Sequence, residues 1–256
     1  MENLCDLLFE VSNKDRLQIL LQLDEEAINV SGLSRGLGLT TQESSRHLAR
    51  LGVVNLTRKD ADGLHHITAY GRLVVRQLQG IWFTSRHKDY FASHTLDRIP
   101  QEFLSRLGEL ADCNHLDDTM VSLYNIEKMV REAEEHVWSI NFPVPVSVFP
   151  RLREAFERGV KGRLIAPKDF IVHPIVKGGL KGEDRKAMER ASATKLLEQR
   201  FIERMDLILW ISEKEAALVS FPKPDGSFDL LGFASSNERT LTWARDLFLH
   251  YWGISE

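Results

Sequence analysis

The stretch LGLTTQESSRHLARL, residues 37–51, constrains the fold more than any other part of the chain. Gly38 can close the preceding segment VSGLSRGLGL in a left-handed turn. Thr40 then stands where a side-chain oxygen accepts the first free amide of a new helix, and Glu43, three residues on, completes a capping box. Two short helices therefore meet at a tight turn. On the second, helical spacing puts Ser44, Leu48 and Leu51 on one face and Thr41, Gln42, Ser45, Arg46 and Ala49 on the other. The outer face is short, polar and furnished with donors near its amino end.

The flanking sequence extends this unit in both directions. Leu4, Leu7, Leu8 and Val11, then Leu17, Leu20 and Leu21, recur at helical spacing on either side of SNKD, where Ser12 or Asn13 can cap the second helix. After Val54, Asn55 can adopt the left-handed conformation that stops a helix, and LTRKDADGLHHIT reads as two short strands around Asp62-Gly63. From Glu43 to Lys59 the cations Arg46, Arg50, Arg58 and Lys59 stand against the single carboxylate of Glu43. The whole chain is acidic, with 33 basic and 37 acidic residues and a formal charge of −4, so any affinity for a polyanion has to reside in such a local patch. Thr41, Gln42, Ser45 and Arg46 carry the donors and acceptors that base edges in a major groove require, whereas Arg50, Arg58 and Lys59 suit phosphates. His65 and His66 fit either a backbone contact or a plain strand.

The remaining two thirds have a different texture. Residues 71–112 read as helical, with Val74, Val75, Leu78, Ile81 and Trp82 on one stripe that suits a dimer contact and Pro100 at a helix start. From residue 125 onward the short branched runs HVWSINF and GRLIA flank the helical segment VSVFPRLREAFERG, the pattern of a parallel βαβ unit. A basic, Gly-containing loop, PKDFIVHPIVKGGLKG, follows. Next come a long helix over 184–204, a strand DLILWIS, a hairpin through EAALVSFPKPDGSFDLLGFA and a terminal helix from about 237 to 252. The expected layout is a winged helix-turn-helix over 1–72, a helical linker or dimerisation segment over 73–122 and an α/β effector domain over 123–256. In an open parallel sheet ligands bind beyond the carboxyl ends of strands. That places Asn141 and Lys168 at a ligand site, with Ser235, Ser236 and Asn237 at a helix start suited to an anion.

Other chemistries are excluded by spacing. His87-Lys88-Asp89 spells HKD, but phosphodiester cleavage by paired His and Lys needs those residues two apart, an Asp further on and a second copy. VKGGLKG lacks the order of a phosphate-binding loop, and no His, Cys and carboxylate cluster has metal-ligand spacing, so no cofactor and no metal are expected. Cys5 and Cys113 lie far apart and read as reduced. No run approaches the about 20 apolar residues of a membrane span, and the acidic amino terminus lacks the basic start of a signal peptide. A cytoplasmic protein is expected.

The segments SNKDRLQILLQL, LSRGLGLTTQESSRHLARL and HHITAYGR resemble the winged-helix domain of ArsR-type prokaryotic regulators over roughly residues 3–80. Ser44 departs from that pattern, which usually has a branched apolar residue there. From YFASHTLDRIPQEFLSRLGEL through AEEHVWSI to LFLHYWG the chain is similar to the effector domain of the archaeal methanogenesis-regulatory family. The resemblance implies a sequence-specific regulator of transcription that binds double-stranded DNA as a homodimer and senses a small, anionic effector or a partner. It also implies a phospholipase-D-like fold without that fold's catalytic motif. The alternative is a phosphodiesterase-like enzyme that uses the winged helix for docking or dimerisation.

Overall fold

Asn13 accepts a hydrogen bond from the Arg16 amide at 3.1 Å and so separates α1 (Glu2–Val11) from α2 (Lys14–Glu25). The same device starts α3 (Val30–Leu37), where Asn29 takes the Gly32 amide at 2.8 Å. Gly38 leaves that helix at φ 67°, and Thr40 and Glu43 form the complete capping box of α4 (Thr41–Val53). Asn55 stands at φ 58° and directs the chain into β1 (Thr57–Lys59), which turns at Gly63 and pairs antiparallel with β2 (His65–Ile67). This computed structural model describes residues 1–140, 147–168 and 182–256, and the chain divides into two compact units, Met1–Gln79 and Gly80–Glu256.

The core of the first unit gathers Ile19, Leu20 and Leu23 of α2, Leu33 of α3, Leu48 and Leu51 of α4, Leu56, Ile67, and Val74 and Val75 of α5 (Ala69–Arg86). Ser44 is fully buried among them, and its hydroxyl shares a 2.9 Å hydrogen bond with Ser34, whose hydroxyl lies 2.8 Å from the Val30 carbonyl. A satisfied polar pair thus replaces the branched apolar residue without an orphaned group. The IT..G motif also has a physical basis. Thr68 donates to the Asn55 carbonyl at 2.6 Å and accepts from the Gly71 amide at 2.9 Å. A Cβ on Gly71 would stand 2.3 Å from the Leu56 carbonyl oxygen, so only glycine lets α5 approach the wing.

The second unit is a seven-stranded mixed sheet in the order β3-β9-β8-β7-β4-β5-β6. Its strands are β3 (Asn114–Leu116), β4 (His136–Ile140), β5 (Lys161–Pro167), β6 (Leu197–Ile202), β7 (Ile208–Ser212), β8 (Ala216–Ser220) and β9 (Gly232–Ser235). Strands β4, β5 and β6 run parallel and the other pairings are antiparallel. One face carries α8 (Thr119–Glu132), α9 (Val148–Glu157) and α10 (Gly182–Ala193), which bury Ile126, Met129, Phe149, Leu152 and Phe156 against Trp210 and Leu218. The other carries α11 (Glu238–Ile254) with α6 (Lys88–Phe91), α7 (Gln101–Leu104) and a 3₁₀ turn at Leu107–Leu110, around Phe221, Phe233, Trp243, Leu247 and Phe248. Every residue of β7 and β8 is buried, as central strands covered on both faces require. The expected βαβ unit is present as β4-α9-β5.

Three expectations need correction. The segment 184–204 is not one helix: α10 stops at Ala193, Lys195 takes φ 59°, and LEQRFI pairs with β5 as strand β6. The span 73–122 is not a separate helical linker. Val74 and Val75 fill the first unit's core, and Phe83, Tyr90, Ile99 and Phe103 fill the second's, because each set is needed to complete a core. The same division breaks the expected dimer stripe, leaving only Ile81 and Trp82 of its members exposed. Among the described residues no helix is long and apolar enough to cross a membrane.

Candidate nucleic-acid interface

The capping box sets the geometry of α4, because the Glu43 carboxylate accepts from the Thr40 amide at 2.9 Å while the Thr40 hydroxyl accepts from the Glu43 amide. This fixes the helix's first turn and leaves Thr41, Gln42, Ser45 and Arg46 exposed on one side, with Ser44, His47, Leu48 and Leu51 buried on the other. Arg46 makes no ion pair or side-chain hydrogen bond among the described residues, though its charge acts on Glu43 one turn earlier, so its guanidinium donors are available. His47, beneath it, places Nε2 3.7 Å from Asp15 of α2, and burial pulls its pKa below the usual histidine value.

Arg50 differs from the other three cations. Its Nη2 and Nε donate to the two oxygens of Glu10 at 2.6 and 3.0 Å, and its guanidinium lies over the Phe9 ring, 5.2 Å from the centroid. Glu10 also meets Arg16, whose guanidinium donates to the last carbonyls of α1 at Phe9 and Glu10. The hydrogen bonds from Arg50 hold the Glu10 carboxyl below its usual range. Arg50, expected at a phosphate, is engaged here in a bidentate brace between α4 and α1. Sequence reasoning missed Glu10, since nothing local links residues forty positions apart.

In the wing, Arg58 and Lys59 project into solvent and have no carboxylate partner among the described residues. The turn between the strands is held by Asp60, which accepts from the Asp62 and Leu64 amides and lies 2.6 Å from His66 Nε2. His65 bridges to Ile28, so the hairpin is tied to the chain before α3. Exposed Arg46, Arg58 and Lys59 thus form a cationic set on α4 and the wing.

The residues expected to bind an effector are more dispersed. Asn141 and the loop beyond Lys168 lie outside the described residues. Lys168 follows the end of β5, but its ammonium contacts Glu203 at 2.7 Å and Glu256 at 3.2 Å, which raises its pKa and offsets its charge. Ser235 is buried and accepts the Asn237 amide, and Asn237 in turn caps α11 through the Arg239 amide. Ser236 opens on a cavity of about 200 Å³ with Lys128, Met129, Glu132, Ser212, Lys214 and Glu215.

His87 of the HKD triplet is buried, its ring packed on Phe83 and Phe233 where α5 gives way to α6. Cys113 is buried and its thiol is pushed up to about 11, which suits a core residue rather than a nucleophile. Among the described residues no group of three or more His, Cys, Asp or Glu could hold a metal ion.

A winged helix-turn-helix unit joined to a mixed sheet flanked by helices is the class that these observations define. The chain belongs to the family of the methanogenesis regulatory protein FilR1, whose middle-domain model matches residues 119–253, just over half of the 256. No curated protein sequence matches it. Among solved structures it is similar to TrmBL2, an archaeal chromatin protein, at 15% identity over 95% of this chain and 94% of that one, with a TM-score of 0.44. A phospholipase D family member, Nuc from Salmonella typhimurium, matches at 9% identity over 51% of this chain and 86% of that one, with a TM-score of 0.35.

Proposed function

We propose that this protein is a sequence-specific DNA-binding regulator of transcription, with α4 as its recognition helix and a second unit that receives an effector. The observation that carries the reading is the uncommitted donor face of α4, where Gln42 and Arg46 lie one turn apart behind a rigid cap, next to a wing whose cations are unpaired. Membership of a regulatory-protein family supports it independently, through the other unit. Gln42 and Arg46 would read base edges, with Thr41 at the helix start, while Arg58 and Lys59 hold phosphates.

The protein works as a homodimer in this reading, since two half-sites multiply specificity. The exposed apolar residues of the first unit that suit such a contact are Leu4 and Leu8 of α1 and Tyr70 and Leu73 of α5. The effector is a small polar molecule or a protein segment. Of the expected ligand residues Ser236 suits it best, because it opens on a polar cavity in which Lys128 is paired with Glu132 and Glu215.

Selection of bound fragments from random DNA, followed by titration of the selected duplex, tests the reading. Arg46→Ala is expected to weaken the selected duplex by about 1–3 kcal/mol and mixed-sequence DNA much less. Equal losses on both would make Arg46 a phosphate contact, and selection that enriches no sequence would overturn sequence-specific binding.

A further inference from the structure

The cavity of about 200 Å³ in the second unit lies where three parts of the fold meet. The end of α8 supplies Lys128, Met129 and Glu132, the turn from β7 to β8 supplies Ser212, Lys214 and Glu215, and Ser236 stands between β9 and α11. Met129 is fully buried and makes one wall apolar. The Lys214 ammonium is committed elsewhere, 2.6 Å from Glu134 and donating to the Glu132 carbonyl at 2.9 Å. Lys128 is held more loosely, 3.5 Å from Glu215 and 3.8 Å from Glu132, which also meets Arg131 at 3.1 Å. Glu215 has no other side-chain partner among the described residues. Ser212 is 2% exposed, and its Oγ accepts from the Lys214 and Glu215 amides at 3.1 and 3.3 Å. Its own hydroxyl hydrogen has no acceptor among the described residues. The cavity thus combines a buried donor that lacks an acceptor with an ion pair too long for a close contact.

We propose that this cavity binds a small α-amino acid, with the ligand carboxylate on the Lys128 ammonium and the Ser212 and Ser236 hydroxyls, and the ligand ammonium on the carboxylates of Glu215 and Glu132. This rests on the reading above that the second unit receives an effector, and deepens it by naming the effector's class. Charge balance selects that class. A simple anion would meet two carboxylates and a simple cation two ammonium groups. A zwitterion set into the loose pair of Lys128 and Glu215 gives each of those charges a close partner and leaves none orphaned. The Ser212 hydroxyl gains the acceptor that it lacks. Size restricts the side chain, because the volume falls below the about 300 Å³ at which sites for drug-sized ligands begin. Glycine, alanine and serine are the amino acids that such a space and its buried Met129 wall suit best.

The test is calorimetric titration of the full chain with glycine, L-alanine and L-serine, each beside its N-acetyl form, which lacks the ammonium, and its amide, which lacks the carboxylate. At least one of the three is expected to bind, with both of its blocked forms weaker by about tenfold or more, the scale of one lost charge-assisted hydrogen bond. Glu215→Gln and Lys128→Gln should each weaken the free amino acid by a similar factor. Glu215→Gln should also remove the penalty of N-acetylation while keeping that of the amide, and Lys128→Gln should do the reverse. A general defect in folding does not produce that crossed pattern. If either variant lowers the melting temperature, Ser236→Val, at an exposed position, still locates the site by weakening the free amino acid. No binding tighter than about 1 mM by any of the three, equal binding of free and blocked forms, or wild-type affinity in Lys128→Gln and Glu215→Gln would overturn the proposal. An amino acid that binds here and leaves the affinity for the selected duplex unchanged would instead overturn the effector reading itself.

Discussion

At the scale of single residues, the pair Arg50 and Glu10 shows how a cation on a recognition helix can serve the fold instead of the ligand. Both nitrogens that Arg50 turns toward α1 are bonded to one carboxylate, and Phe9 covers the guanidinium. Arg50→Ala is therefore expected to lower the melting temperature and to leave the salt slope of DNA binding unchanged. A slope lower by about 0.9 at unaltered stability would return Arg50 to the phosphates. A second expectation concerns pH. Burial holds the His47 pKa below its ordinary value, so on acidification the unfolded chain takes up this proton first. The stabilising contribution is complete above the unfolded pKa near 6.5 and is lost as pH falls through the folded value. Glu10, held low chiefly by Arg50, contributes above the unfolded carboxylate pKa and loses that contribution as pH falls through its own folded value. Melting temperature should thus fall in two stages below neutrality, the first shared by His47 with His65, His87 and His136, which burial lowers in the same way, and His47→Gln should shrink that stage without abolishing it. A flat profile down to the carboxylate range would refute the His47 part. The capping box was legible because its partners are three residues apart and governed by helix geometry. Glu10 was not, because its partnership with Arg50 exists only once α1 has packed on α4.

At the scale of elements, the end of α10 is instructive. Helices commonly stop on a glycine or asparagine in the left-handed conformation, and Gly38 and Asn55 mark their turns in this way. Lys195 adopts φ 59° with neither identity, so no sequence signal separates the helix from the strand that follows. The polar run LEQRFI then pairs with β5 along one edge and meets only the Glu256 backbone, at Phe201, among the described residues on the other, so it shows a mixed exposure pattern rather than a clean alternation. The strain at this position makes a direct prediction. Lys195→Gly should stabilise the protein by about 0.5–1 kcal/mol, since glycine adopts the left-handed region without the Cβ penalty but loses more chain entropy on folding. Chemical denaturation would measure it, and a destabilised variant would mean that the Lys195 side chain contributes more than its backbone costs. Gly71→Ala is expected to act in the opposite sense, because its Cβ would strike the Leu56 carbonyl and the Ile67 side chain.

At the scale of the whole molecule, the alternation of short branched runs with helices was enough to separate a small helical unit with a wing from an α/β unit. The order of the strands was not readable. β3 pairs with β9 across more than a hundred residues, and such pairing is decided by which faces remain to be buried after the local units have formed. The dimer expectation has the same origin. Spacing alone marked Val74 and Val75 as available, but they fill the core of their own unit, while Leu4 and Leu8 of α1 and Tyr70 and Leu73 of α5 are among its exposed apolar side chains. Monomeric proteins scatter such residues singly, so the argument depends on their recurrence: Leu4 and Leu8 lie one turn apart on α1, and Tyr70 and Leu73 one turn apart on α5. If these turns meet a second copy, the double substitution Leu4→Glu, Leu8→Glu buries two carboxylates against apolar surface in the dimer and exposes them harmlessly in the monomer. Sedimentation velocity at micromolar concentration should then show two chains for the wild type and one for the variant, with the variant also losing the advantage of a two-half-site duplex over a single half-site. A wild-type protein that sediments as a single chain, alone and on DNA, would remove the dimer. A variant that remains dimeric would move the contact elsewhere, with Ile81 and Trp82, exposed on the last turns of α5, as the residues to substitute next.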